Sequence, residues 1–347
     1  MAKRGLRAGA ISAAAIAAAV AGGIAAERAF VRRDRSRADP FAKEAYGSVR
    51  GASIGPIPSF DGTLLNVEQA GSGPTVVFSH GFSLNLTLWH HQITGLAEDM
   101  RLVLYDHRGH GRSGRPESQD WSLEALARDL HAVLSETTGD GPAVVVGHSM
   151  GGMTALKYCE LFGEQIGRRV GGLVLVDTTA ADVMGGVLYG AGRRARAVSQ
   201  ALQEGLMRAL TGRADTVDRM RANGSSIAYL SARFFGFGPS PSPAQVDFVE
   251  RMLAEVPSEV WERLLPTLLG FDVTTVLPVI DIPVLIIVGS HDRLTPPGAS
   301  VRMARAIPGA ELVVLKGAGH SSMLERHEEF NDHVRRFVAR VAATTTR

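Results

Sequence analysis

Six short apolar runs limit the fold most. They are Thr75–Ser79 (TVVFS), Arg101–Tyr105 (RLVLY), Ala143–Val146 (AVVV), Leu173–Val176 (LVLV), Val284–Val288 (VLIIV) and Leu312–Leu315 (LVVL). Each is nearly continuous in Val, Ile and Leu. A strand with one solvated face alternates apolar with polar residues, whereas a strand buried on both faces does not. Between the runs lie amphipathic stretches such as 122–136, with Leu123, Leu126, Ala127, Leu130 and Leu134 at helical spacing. Alternation of buried strand and helix implies a mostly parallel α/β sheet. Residues 54–70, with a turn at Asp61-Gly62, predict an antiparallel hairpin entering that sheet. Hairpin and runs together make an eight-stranded sheet flanked by helices.

One segment breaks the alternation. Residues 182–270 hold helical patterns, a GFGPSPSP stretch and the bulky apolar residues Phe234, Phe235, Met252, Trp261 and Leu264, with no clear buried strand. They predict an all-helical cap between strands 6 and 7. The core is then 51–181 together with 271–345. Hydrophobic residues at 45% and charged residues at 21% match a globular protein. A net charge of +2 supplies no basic field for nucleic acid. The single cysteine, Cys159, excludes an intramolecular disulfide and a Cys-based metal cluster. There is no P-loop and no dinucleotide fingerprint, so no cofactor and no metal is expected. Oligomeric state is not readable from the chain. Its Arg-heavy, Lys-poor composition points to a GC-rich bacterial genome.

The first fifty residues pose a separate question. Ala8 to Ala26 is uncharged and Ala-dominated, close to the roughly 20 residues that cross a bilayer core. Residues 1–26 are read as an N-terminal membrane anchor or a signal segment, and membrane association runs through residues 8–26. Secretion after signal cleavage is the alternative, and an Ala-rich soluble helix a third reading. Basic residues flank both sides, so the side of the membrane is open, with a lean toward a cytoplasmic catalytic domain. Residues 27–50 are read as a basic linker, lying against anionic head groups or free in solvent.

Three motifs carry chemistry. Gly147-His148-Ser149-Met150-Gly151 follows the strand AVVV and precedes a helical stretch. So sharp a strand-to-helix turn forces its central residue into a strained backbone, and glycines two positions either side avoid collision. Gly289-Ser290-His291-Asp292 follows the strand VLIIV, and Gly317-Ala318-Gly319-His320 follows the strand LVVL. Each candidate sits just past a strand's carboxyl end, where open α/β sheets place their sites. A serine hydroxyl does not ionise alone near neutral pH, so His320 takes its proton during attack. Asp292 fixes the tautomer of His320 and stabilises the imidazolium. Asp177, also past a strand, is the alternative acid. His148, His291 and His327 are weaker candidates for the base, His327 reading as helix surface. His80 reads as structural. The neighbours His90 and His91 point about 100° apart on a helix and lack further ligands, which argues against a metal.

These residues resemble the α/β-hydrolase superfamily over about 51–345. The order Ser149, Asp292, His320 matches that family's order. The loop Asp106-His107-Arg108-Gly109-His110-Gly111-Arg112-Ser113 resembles its D-x-R-G-x-G-x-S stretch, in the branch of epoxide hydrolases, haloalkane dehalogenases, esterases and haloperoxidase-like perhydrolases. Arg108 there ties down a turn beside the site. The resemblance implies an oxyanion hole from the backbone N–H groups of Phe82, in Ser79-His80-Gly81-Phe82, and Met150. Dehalogenases and epoxide hydrolases use an aspartate where this chain has Ser149, so those activities are not expected. The expectation is a serine esterase or lipase-like enzyme acting on carboxylic esters with apolar or lipid-like acyl groups through an acyl-enzyme. C–C bond hydrolysis and cofactor-free perhydrolysis on the same triad are alternatives, as is a non-catalytic binding protein on this fold.

Overall fold

The computed structural model describes residues 25–139, 141–182 and 226–345. The strands are β1 (Ala52–Pro58), β2 (Leu64–Ala70), β3 (Thr75–Ser79), β4 (Arg101–Tyr105), β5 (Ala143–His148), β6 (Val170–Val176), β7 (Val284–Gly289) and β8 (Glu311–Leu315). They form one sheet in the order β1-β2-β4-β3-β5-β6-β7-β8. The hairpin β1–β2 is antiparallel and joins the sheet antiparallel through β4. All other pairs are parallel. This is the mostly parallel sheet expected from the runs and the hairpin, in the α/β-hydrolase arrangement that the resemblance implied.

The helices are α1 (25–35), α2 (His90–Leu96), α3 (Leu123–Thr137), α4 (Met150–Leu161), α5 (Ser226–Gly236), α6 (Pro243–Glu255), α7 (Ser258–Leu269), α8 (Pro297–Ala306), α9 (Ser322–Glu325) and α10 (His327–Thr345). Side chains alternate across the sheet. Val77, Val103 and Val145 share one core with Leu126, Leu130 and Val133 of α3 and Met153 and Leu156 of α4. Val76, Phe78, Val144 and Val146 share the other with Ile93 of α2 and Phe330, Val334 and Phe337 of α10. Both faces are covered over β3 to β7, which is why those runs are continuous in apolar residues; the LVVL run of β8, expected to be buried on both faces, lies at the sheet edge and leaves Val314 exposed. Truncating a fully buried leucine such as Leu130 would cost about 2–5 kcal/mol. The helix starts are specified locally. Ser122 Oγ accepts the Ala125 N–H at 3.1 Å, and Ser242 caps α6 with Pro243 at its first turn.

Helices α5, α6 and α7 lie between β6 and β7 as the cap. The excursion leaves and returns at one place. Ala181 forms an antiparallel bridge with Asp272, and the Val273 N–H donates to the Ala180 carbonyl at 2.9 Å. Residues 183–225 of the expected cap lie outside the described residues. Met252 and Leu264 are buried, whereas Phe234 and Phe235 are exposed.

The expected membrane anchor is corrected. Among the described residues no helix is long and apolar enough to cross a membrane. Residues 1–24, which hold most of the 8–26 stretch and the alternative signal segment, lie outside the described residues. The segment read as a linker packs against protein. Val31 of α1 is buried. Asp34 accepts from Tyr229 Oη and Arg233 Nε, both at 2.8 Å. Arg35 pairs with Asp247 at 2.7 Å and Glu250 at 2.6 Å. Two cap carboxylates thus pair with Arg35, one of the basic residues of a segment read as lying against head groups or free in solvent.

Candidate active site

β4 and β5 flank β3, and the connections leaving β3 and β5 run to opposite faces of the sheet, to α2 and α4. Such a switch point opens a crevice at the strands' carboxyl ends. The Ser79-His80-Gly81-Phe82 loop and the Ser149 turn border it.

Ser149 has φ 52° and ψ −116°, left-handed backbone that costs a non-glycine residue about 1–3 kcal/mol. Its surroundings hold it there. The Ser149 N–H donates to Val176 O at 2.9 Å. Its carbonyl accepts from Gly152 N at 2.9 Å, Met153 N at 3.1 Å and Thr178 Oγ1 at 2.7 Å. A Cβ on Gly147 would lie 2.5 Å from Gly151 O, and one on Gly151 would lie 2.1 Å from Ser79 O. The turn therefore closes only with glycine at both places. Ser149 sits at the N-terminus of α4, where backbone N–H groups and the helix dipole favour negative charge. Among the described residues, no backbone acceptor engages the N–H of Phe82 or Met150.

His320, beyond β8, and Asp292, beyond β7, are both buried. His320 Nδ1 lies 2.9 Å from Asp292 Oδ2. Thr295 Oγ1 donates to the same oxygen at 2.7 Å. Asp292 Oδ1 accepts from Leu294 N at 2.8 Å and Thr295 N at 2.9 Å. Burial pulls the His320 pKa down, but the Asp292 charge and hydrogen bond, with Asp177 adding to them, leave it raised above the ordinary histidine value. The Asp292 bond occupies Nδ1, so Nε2 is the nitrogen left to face a reacting group. Among the described residues no hydrogen bond joins Ser149 Oγ to His320. In substrate-free sites this contact is often long and tightens on binding.

The other candidates are engaged elsewhere. Asp177 accepts from Gly289 N at 2.8 Å, Ser322 N at 3.1 Å and Ser322 Oγ at 2.6 Å. It touches the loop that carries His320 without bonding to its ring. Burial and the neighbouring Asp292 push its pKa up to about 7. His148 donates through Nε2 to His320 O at 2.8 Å, steadying the loop. His291 bonds Ser290 Oγ at 2.9 Å. His80 donates to Gly81 O at 2.8 Å and accepts from His107 N at 3.0 Å. Both nitrogens are used, and burial lowers its pKa to about 4. His90 bonds Glu44 at 2.7 Å and His91 bonds Tyr46 at 3.1 Å. His327 is half-buried rather than on the helix surface, its ring stacked 3.9 Å from that of His91.

Arg108 ties down its loop from a fully buried position. It reaches Asp129 through Nε at 2.7 Å and Nη2 at 2.6 Å, and Asp61 through Nη1 at 3.0 Å. Sequence reasoning missed Thr295, Ser322 and Glu325. Thr295, three residues past Asp292, offered a local signal. Ser322 and Glu325 did not, because Ser322 bonds Asp177, 145 residues away, and Glu325 bonds Gly238 of the cap, 87 residues away.

The chain is 29% identical to the AB hydrolase superfamily protein YisY of Bacillus subtilis over 274 residues, which span 79% of this chain and 94% of that protein. The structure of a thermophilic esterase from Thermogutta terrifontis has a TM-score of 0.66 and 26% identity, covering 83% of this chain and 98% of that one. Est816, described as an N-acyl homoserine lactone degrading enzyme, has a TM-score of 0.63 and 27% identity, covering 81% and 100%. The family model described as alpha/beta hydrolase fold matches residues 74–327, and the chain belongs to that family.

Proposed function

We propose that this hydrolase cleaves carboxylic esters with apolar acyl groups, with Ser149 as nucleophile, His320 as general base and Asp292 as the orienting acid. The observation that carries the reading is the 2.9 Å bond from Asp292 to His320 Nδ1. It leaves Nε2 for the serine proton, at the same end of the sheet as the strained Ser149 turn. His320 takes the proton as Oγ attacks the ester carbonyl, and the N–H groups of Phe82 and Met150 receive the oxyanion. The intermediate collapses to an acyl-enzyme as His320 protonates the leaving alcohol. Water then enters by the reverse route. An apolar acyl group is favoured by the ring of Trp261 in α7, which packs 4.6 Å from that of Phe82. The similarity to the esterase from Thermogutta terrifontis, at 26% identity, supports the reading. The test is a p-nitrophenyl ester series of rising chain length, run beside a diketone substrate and peroxide-dependent bromination. Turnover confined to esters, rising with chain length, supports the reading. Activity only on the diketone or in bromination would replace it with one of the two alternatives.

A further inference from the structure

The cap meets the His320 loop at a seam of backbone against backbone. The chain turns at 236–238 on leaving α5. Ser321 N donates to Gly236 O at 2.7 Å. A Cβ on Gly238 would lie 2.0 Å from Gly317 O, and one on Gly319 would lie 2.3 Å from Phe237 C. No side chain fits between them. Arg293, next to Asp292, donates to the carbonyls of Phe234 and Phe237 and lies 4.4 Å from the Phe234 ring centroid. At the centre is the half-buried Glu325. Its Oε2 accepts the Gly238 N–H at 2.9 Å, and its Oε1 accepts the Gly319 N–H at 2.6 Å. Gly319 immediately precedes His320.

We infer that Glu325 is a positioning residue: its two oxygens clamp the cap turn 236–238 onto the His320 loop, so the base is aligned only while the cap is seated. The inference rests on the serine-hydrolase reading above. An ionised carboxylate has acceptors only, so it serves both N–H groups at once. A protonated carboxyl, or an amide, turns a donor toward one of them. Burial pushes the Glu325 pKa up to about 7, its two backbone bonds oppose this, and the Asp177 and Asp292 charges add to it. Arg37, Asp39, Lys316 and Arg326 share a cavity of about 300 Å³ with Glu325, and His320 lies on the clamped loop.

The test compares the full chain with Glu325→Gln, by amide hydrogen exchange and by p-nitrophenyl butyrate hydrolysis across pH. In the variant, exchange should rise together at 236–238 and 319–321 and stay unchanged elsewhere. kcat should fall about tenfold, one hydrogen bond's worth, with KM little altered. Exchange that rises everywhere, with KM altered as much as kcat, would mean a merely structural carboxylate and would overturn the inference, as would unaltered exchange at both segments. If Glu325→Gln does not fold, Glu325→Asp decides. Its side chain is one methylene too short to reach both N–H groups, so exchange should rise at Gly238 or Gly319 while core amides hold, and unaltered exchange at both would overturn the inference. A parent chain without ester turnover would remove the serine-hydrolase reading, and the exchange experiment would still judge the clamp.

Discussion

Asp292→Asn probes the orientation of His320 with almost no change in shape. Oδ1 accepts two backbone N–H groups, of Leu294 and Thr295, at 2.8 and 2.9 Å. Asparagine keeps both bonds only by leaving its carbonyl oxygen there. Its NH₂ group then replaces Oδ2 and faces His320 Nδ1, 2.9 Å away in the parent. The ring must accept at Nδ1 and carry its proton on Nε2, so it can no longer receive the serine proton. Loss of that tautomer costs about 10⁴ in kcat/KM, or about 5 kcal/mol of transition-state stabilisation. The same change moves the pH profile. Burial alone depresses the His320 pKa, and Asp292 is the main group opposing it. Without that charge the acidic limb should shift to lower pH even as the rate collapses. The assay is kcat/KM for a p-nitrophenyl ester across pH, with Asp177→Asn alongside. A loss of less than tenfold in Asp292→Asn, or a larger loss in Asp177→Asn, would refute the reasoning and make Asp177 the acid.

Two stability predictions follow from the buried charges. Asp177 and Glu325 both have pKa values pushed up to about 7, first by burial. A raised carboxylate pKa favours protons in the folded state. The stability this lends is full below the ordinary carboxylate range and is lost as pH rises through about 7. Across about pH 5 to 8 the parent's Tm should therefore fall relative to that of Asp177→Asn, the buried histidines such as His80 contributing alike in both proteins; a parent that gains on the variant in that window would contradict this. Arg108→Met should leave Asp129 buried and unpaired, lowering stability by about 3–5 kcal/mol in urea unfolding. A loss under about 1 kcal/mol would mean that the Arg108 network contributes little beyond packing.

How far sequence patterns reach here depends on where each residue's partners lie. β3 to β7 announce themselves because both faces of the sheet are covered there, and two-sided burial writes itself as unbroken Val, Ile and Leu; β8 is equally apolar but lies at the sheet edge and leaves Val314 exposed. The Ser149 turn is equally local. The glycines that let it close sit two residues either side, and Gly151 meets the strand end at Ser79. α1 is different. Its arginines suggested a tether, but Asp34 finds Tyr229 and Arg35 finds Asp247, about two hundred residues away, and no window of sequence contains such pairs. Glu325 is hidden for a related reason. It bonds backbone N–H groups, which carry no residue identity, and α9 is too short to show a periodicity. His327 looked solvent-facing because its cover, His91 and Phe41, comes from the far end of the chain.

The central claim is that Ser149 is activated by His320. Its most direct test is labelling of the purified chain with a fluorophosphonate probe, beside Ser149→Ala and His320→Ala. The account predicts rapid labelling of the parent, none in Ser149→Ala and a sharp fall in His320→Ala. A folded parent that resists both this probe and a smaller one, or labelling that survives in Ser149→Ala, would contradict it.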